Sequence, residues 1–127
     1  QSDFHVGDVK YHTGFAGQLP ELEEWWLRCF DASDADGDSL PAQMPAVTIT
    51  PNPSHLEMVS PVVLGKVRAL QDSAEPPGTG ISSILGVVLH GDAAFAGSGM
   101  AYEALQLSEL AGYTTGGTVH VVLNNQV

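Results

Sequence analysis

The sequence has few basic residues, a single cysteine and no long apolar run. Among 127 residues, 4 Lys and Arg stand against 15 Asp and Glu, so the formal net charge is −11. Nucleic acids and anionic membrane surfaces both attract clustered basic residues, so this composition argues against either partner. One cysteine, Cys29, excludes an intramolecular disulfide framework and a thiolate-rich zinc site. The longest apolar run, Ile84–Leu89, is far shorter than the ~20 residues that span a bilayer.

The composition nevertheless indicates a folded chain. Hydrophobic residues make up 43% of the sequence and the mean hydropathy is +0.05, values that exclude a generic disordered tail. The length suits about one domain. The chain starts at Gln1 without a methionine and ends at Val127 directly after an apolar run, so we expect it to be a piece of a longer protein.

Three zones follow one another along the chain. Residues 1–17 are polar and glycine-rich, which predicts a loop. Residues 18–45 form an acidic zone, in which a short helix after Pro20 would give way to turn and loop residues. Residues 46–127 alternate between strand-like and helix-like patterns and are predicted to form a single incomplete α/β domain.

The third zone predicts a mostly parallel sheet with flanking helices. The alternation of strand, helix, strand, helix and strand is typical of βαβ units, whose strands run parallel. The middle strand is continuously apolar, which predicts burial on both faces. The predicted strands are 46–50, 83–89 and 119–123, and the predicted helices are 56–71 and 94–110.

Polar segments follow each predicted strand, where parallel sheets bind their ligands. They are Pro51–Leu56, His90–Ala94 and Asn124–Val127. Asp92 supplies a carboxylate at the start of a predicted helix, whose free N–H groups favour a phosphate. Asn125 supplies an amide oxygen 125 − 92 = 33 residues later, about one helix and one strand away. Oxygen ligands of this kind, together with diphosphate oxygens, suit magnesium or calcium.

The pattern Gly-Asp, roughly thirty residues and Asn-Asn resembles the thiamin diphosphate-binding motif. Longer strings resemble the decarboxylase component of the 2-oxoglutarate dehydrogenase complex and cover about two-thirds of the chain. These strings are GDVKYH (7–12), NPSHLE (52–57), SPVVLGKVRA (60–69), LHGDAAFAG (89–97) and GYTTGGTVHVVLNNQV (112–127).

This resemblance implies a thiamin diphosphate-binding domain and assigns a role to several residues. Asp92, Asn125 and the carbonyl of Val127 would bind Mg²⁺, while Ala93 and Ala94 would present their backbone to the diphosphate. Leu56 would contact the cofactor. His12 and Ser54 would face the 2-oxo acid, with His12 as the catalytic residue, because histidine can donate a proton near neutral pH.

The implied activity is oxidative decarboxylation of 2-oxoglutarate, a reaction of the tricarboxylic acid cycle. The acyl group would pass to a lipoyl group on a succinyltransferase partner, and the full-length enzyme would be a homodimer. The implied location is the mitochondrial matrix in a eukaryote or the cytoplasm in a bacterium. Three alternatives remain: a 2-oxoadipate-type relative, a non-oxidative decarboxylase, and a truncated non-catalytic chain.

The resemblance is incomplete in two respects. The acidic zone 18–45 has no likeness to the family strings, so we expect an insertion there, and its length leaves open whether His12 reaches the site. The upstream HRGRLN string and the cofactor-activating glutamate are absent, so the isolated chain is expected to be inactive. A lone Asp92 could instead be a helix cap, and His55, His90 and His120 are expected to be structural.

Overall fold

A computed structural model describes residues 15–17 and 46–126 of the chain. The protein divides into two compact units, residues 1–51 and residues 52–127. His12, Val127 and the acidic zone 18–45 lie outside the described residues.

The first unit contains a short antiparallel strand pair. Strand β1 spans Phe15–Gly17 and β2 spans Val47–Ile49, with Phe15 opposite Ile49 and Gly17 opposite Val47. The loop predicted for residues 1–17 is therefore wrong at its last three residues. The strand predicted at 46–50 forms, but its expected place in the parallel sheet is wrong. A three-residue β-branched segment favours extended backbone and carries little information about its partner.

The second unit has the predicted α/β architecture. Strands β3 (Gly86–Gly91) and β4 (Thr118–Leu123) pair in parallel, from Gly86 opposite Thr118 to Gly91 opposite Leu123. The helices are α1 (Val59–Asp72), α2 (Gly80–Ser83), α3 (Asp92–Gly97) and α4 (Gly99–Leu107). A parallel strand pair with flanking helices confirms the fold class. None of the helices in residues 46–126 is long and apolar enough to cross a bilayer.

The helix predicted at 94–110 is divided in two. Ser98 adopts extended backbone, with φ −95° and ψ 124°, and separates α3 from α4. The glycines on either side of Ser98 have low helix propensity, so the regular spacing of apolar residues does not sustain one continuous helix. As a consequence, α3 is a short helix that begins directly at the end of β3.

The parallel pair is buried on one face. Residues of β3 alternate between buried and exposed, with Val88 and His90 inside and Val87 and Leu89 exposed by 48% and 65%. The prediction of burial on both faces is thus wrong for the described residues, because no described element covers the second face. The apolar core comprises Val67, Val88, Ala101 and Ala104.

Polar contacts join α1 to the segments that lead into the sheet. The buried Gln71 side chain donates hydrogen bonds to the carbonyls of Ile84 at 2.9 Å and Thr115 at 2.8 Å. Gly80 packs so closely on α1 that a Cβ there would lie 2.2 Å from the carbonyl oxygen of Gln71. These contacts place the starts of β3 and β4 beside the end of α1.

Candidate cofactor and metal site

The two polar segments that follow β3 and β4 lie at the same edge of the sheet. Gly91 and Leu123 are the last paired residues of the parallel register. Asp92 comes one residue after Gly91, and Asn125 comes two residues after Leu123. Because parallel strands bring their carboxyl ends together, both side chains originate at this edge.

Asp92 carries a buried oxygen with an unused hydrogen-bonding capacity. Its Oδ1 atom is buried and has no hydrogen-bond partner among residues 15–17 and 46–126. The N-cap of α3 is Gly91, and no side chain caps that helix, so Asp92 does not act as the cap. A buried carboxylate oxygen without a partner is costly unless a ligand satisfies it. This atom is therefore suited to bind a cation.

Asn125 follows β4 in a tight turn. Its backbone N–H donates to the carbonyl of Leu123 at 3.1 Å, and Gln126 has a left-handed φ of 59°. The turn ends the strand immediately and leaves Asn125 exposed at the sheet edge. Ala93 and Ala94 lie in the first turn of α3, directly after Asp92. The residues expected to face one diphosphate thus belong to two adjacent strand ends.

Ser54 and Leu56 lie in the turn before α1. Ser54 is exposed, and the N-cap of α1 is Met58, so Ser54 does not cap that helix. Leu56 is 75% exposed, whereas its neighbour Glu57 is buried. A single exposed leucine is common, whereas a buried glutamate is not, so Glu57 is the informative residue of this turn. The exposed Leu56 side chain is accessible to a ligand.

A buried chain of hydrogen bonds, which sequence reasoning missed, connects that turn to the sheet. Nδ1 of His90 lies 2.7 Å from Oε2 of Glu57, and Nε2 of His90 lies 2.8 Å from Nδ1 of His120. The Ser60 hydroxyl donates to the same Glu57 oxygen at 3.3 Å. Glu57 and His90 are separated by 33 residues in sequence, and spacing alone did not bring them together. Their positions inside the NPSHLE and LHGD strings were the available signal.

The environment of His120 disfavours its charged form. Partial burial lowers the pKa of His120 below its usual value, and the neighbouring His90 lowers it further. Glu57 acts in the opposite direction and raises this pKa. The neutral imidazole of His120 is consequently favoured.

The described basic side chains lie on α1 and not at the strand ends that carry Asp92 and Asn125. The basic residues among 46–126 are Lys66 and Arg68, both on α1. Arg68 contacts Asp72 and donates to the carbonyls of Ala111 and Thr114. Within that same range, no group of three or more His, Cys, Asp or Glu side chains could hold a metal. One carboxylate and one amide oxygen leave the remaining positions of a magnesium shell to a ligand or to backbone.

A separate cavity of about 700 Å³ lies elsewhere in the second unit. Residues of α1, α4, the segment before β4 and β4 itself, including His120, line it, whereas Ser54, Leu56, Asp92 and Asn125 do not. Arg68 and Glu109 lie in its wall, and the buried unpartnered oxygen of Asp92 does not. The cavity therefore does not coincide with the candidate metal site.

Comparison with known proteins identifies the class to which this arrangement belongs. The family model described as dehydrogenase E1 component matches residues 18–127. The match includes the parallel pair, both strand ends and the turn before α1. It also includes residues 18–45, so the expectation that this zone has no likeness to the family is wrong. The chain therefore belongs to the dehydrogenase E1 component family.

Individual relatives define the branch of that family. The chain is 41% identical over 125 residues to the 2-oxoglutarate dehydrogenase E1 component of Geobacillus kaustophilus (strain HTA426), covering 96% of this chain and 11% of the relative. It is 42% identical over 121 residues to the mitochondrial 2-oxoglutarate dehydrogenase of Schizosaccharomyces pombe, and the alignment covers 95% of this chain and 10% of the relative. A multifunctional 2-oxoglutarate metabolism enzyme of Mycobacterium sp. (strain JLS) is 43% identical over 122 residues, and the alignment covers 95% of this chain and 8% of the relative. The chain thus spans about a tenth of the length of these relatives and resembles the 2-oxoglutarate dehydrogenase branch.

Proposed function

We propose that this chain is the cofactor-binding segment of a thiamin diphosphate-dependent 2-oxoglutarate dehydrogenase. The single observation that carries the proposal is the buried Oδ1 of Asp92, which has no partner among the described residues and lies at the sheet edge from which Asn125 also emerges. The three relatives described above all carry 2-oxoglutarate in their names, which favours this substrate over 2-oxoadipate.

The residues present fit a magnesium-bridged diphosphate. Asp92 and Asn125 offer hard oxygen atoms, as Mg²⁺ requires, and the carbonyl of Val127 would complete the protein ligands. A diphosphate beside the Asp92 carboxylate would be repelled unless a cation lay between them. Ala93 and Ala94 have no long side chains, so the backbone of α3 can approach the phosphate oxygens.

The other residues would position the organic parts of the reaction. Leu56, exposed beside the buried Glu57, would pack against the cofactor. Ser54 would bind the 2-oxo acid, and the His12 imidazole would donate a proton to the substrate. Thiamin diphosphate, when bound, supplies the carbanion and electron sink of 2-oxo acid decarboxylation.

The partners follow from the same proposal. The term E1 component in the Geobacillus relative's name denotes one member of a complex. A lipoyl-bearing succinyltransferase would accept the acyl group, and two copies of the full-length enzyme would form a dimer. The named relatives include a mitochondrial yeast protein and bacterial proteins, so the location would be the mitochondrial matrix or the bacterial cytoplasm.

The decisive experiment replaces Asp92 in the native full-length polypeptide. We expect Asp92→Asn to weaken magnesium-dependent binding of thiamin diphosphate at least about 100-fold, measured by isothermal titration calorimetry with and without Mg²⁺. The apo protein should melt at the same or a higher temperature, because the buried oxygen has no partner to lose. At a cofactor concentration of 100 times the unmodified protein's Kd, ligand-induced stabilisation should fall from about 2.7 kcal/mol to about 0.4 kcal/mol or less in the variant.

A matched control is the same substitution at Asp72, an exposed aspartate on α1. Asp72→Asn should bind the cofactor as the unmodified protein does. If Asp92→Asn retained affinity within threefold of this control, the assignment of Asp92 would be overturned. If the unmodified polypeptide showed no magnesium-dependent binding, the non-catalytic alternative would replace the proposed enzyme.

A further inference from the structure

Glu57 has an unusual position for a glutamate. Its side chain is 3% exposed, and its backbone adopts a left-handed φ of 68°. Buried glutamates require partners, and a left-handed backbone is disfavoured for residues with a side chain. Both features persist here because the carboxylate accepts hydrogen bonds from His90 and from Ser60. The turn is thus held by contacts of the Glu57 side chain.

Glu57 lies between an exposed residue that precedes it and a buried residue at the start of α1. Leu56, immediately before it, is 75% exposed, whereas Ser60, at the start of α1, is buried. The N–H of Ser60 also donates to the carbonyl of Glu57 at 3.0 Å, which ties the turn to the helix. The conformation of Glu57 therefore determines where Leu56 is presented.

The partner of Glu57 lies next to the candidate metal ligand. His90 is the penultimate residue of β3, two residues before Asp92, and its side chain is 2% exposed. Its ring packs on Phe95 of α3 with centroids 4.7 Å apart and stacks on His120 of β4 at 5.1 Å. A carboxylate can only accept, so Nδ1 of His90 carries the hydrogen that Glu57 binds. This bond orients the ring between β4 and the helix that begins at Asp92.

We propose that Glu57 is a positioning residue that holds the Leu56 turn and the Asp92 strand end in one geometry through His90. The inference rests on the proposed function, since these two segments would hold the organic and the diphosphate parts of the same cofactor. Hydrogen bonds behind a ligand residue commonly control affinity in this way, and their loss weakens binding without removing a ligand. Glu57 itself would not touch the cofactor.

The test compares two substitutions of Glu57 in the native full-length polypeptide. Glu57→Ala removes both hydrogen bonds, and we expect a 10- to 100-fold weaker affinity for thiamin diphosphate with saturating Mg²⁺ by calorimetry, on the order seen for such supporting contacts. Glu57→Gln keeps one acceptor oxygen and should restore affinity to within about tenfold of the unmodified protein. At saturating cofactor, kcat and the substrate KM should change less than about threefold, because no contact with the reacting atoms is lost.

Two controls separate positioning from general damage and from failure of the proposed function. Glu103→Gln changes an exposed glutamate on α4 and should leave cofactor affinity unchanged. Asp92→Asn, measured in parallel, reports whether the metal site exists. Normal binding by Asp92→Asn would overturn the proposed function. Weak binding by Asp92→Asn together with unchanged binding by Glu57→Ala would overturn the positioning role alone.

The remaining outcomes are also decisive. Equal loss of affinity in Glu57→Gln and Glu57→Ala would contradict the role of the acceptor oxygen. A fall in the kcat of Glu57→Ala at saturating cofactor, with normal cofactor affinity, would also contradict the positioning role of Glu57. If Glu57→Ala did not fold, a threefold to tenfold weaker affinity in folded Glu57→Gln would support the proposal, and an affinity equal to that of Glu103→Gln would overturn it.

Discussion

Gly80 offers a sharp test of how α1 is packed. In the structure, a Cβ at this position would lie 2.2 Å from the carbonyl oxygen of Gln71 and 2.4 Å from its Cα. Ordinary contacts of a Cβ atom are 3.4–4 Å, so the backbone of Gln71 would have to move by about 1 Å. That movement would also disturb the hydrogen bonds from the Gln71 side chain to Ile84 and Thr115.

The expected cost of Gly80→Ala follows from this geometry. Overpacking costs about 1–3 kcal/mol, and the upper part of that range applies because the obstacle is backbone rather than a flexible side chain. We therefore expect a loss of about 2–3 kcal/mol of local stability. At about 1.4 kcal/mol per factor of ten, amides of α1 and β3 should exchange with solvent roughly 30 to 150 times faster.

Gly65→Ala is the matched control for this substitution. Gly65 lies inside α1, and a Cβ there would meet nothing within 4 Å. Alanine should stabilise the helix by up to about 1 kcal/mol, so the same chemical change should have the opposite sign. Hydrogen exchange measured by mass spectrometry on the full-length polypeptide would compare both variants. Exchange in Gly80→Ala within twofold of the unmodified protein would refute the close packing described here.

Two further predictions concern charged side chains. Arg68→Met should destabilise the loop before β4 by about 1 kcal/mol, because two carbonyls lose a donor, whereas Asp72→Asn should change stability by less than about 0.5 kcal/mol. Local hydrogen exchange would distinguish them, and equal effects would contradict this assignment. The lowered pKa of His120 predicts full stability above its usual pKa of 6.5 and a loss as the pH falls through the lowered value. Thermal melts should show a weaker acid dependence in His120→Asn, and an unchanged dependence would contradict this reasoning.

The elements of the second unit were largely predictable because local patterns specify them. The apolar spacing predicted a helix at 56–71 and the structure has α1 at Val59–Asp72, while the predicted strand at 119–123 corresponds to β4 at Thr118–Leu123. The division at Ser98 was missed because the spacing of apolar residues continues through it, whereas the neighbouring glycines interrupt the helix.

Strand partners could not be predicted in the same way. The sequence identified an extended segment around Val47–Ile49, but its antiparallel partner lies about thirty residues earlier in the chain. Pairing depends on which edges meet in three dimensions, and three residues carry too little pattern to specify one edge. The exposure of Val87 and Leu89 could not be predicted either, because a continuous apolar run does not reveal which face of the strand another element covers.

For the site, the sequence by itself determined the family strings, the chemistry of Asp92 and Asn125, and their placement after successive strands. Those features depend on residue type and spacing, and a parallel crossover necessarily returns both strand ends to one edge. The tertiary structure decided that Oδ1 of Asp92 is buried with no partner in the part of the chain that the structure describes, and that Glu57 contacts His90. Burial and contacts between residues far apart in sequence depend on how the packed elements close around each other, which local patterns do not encode.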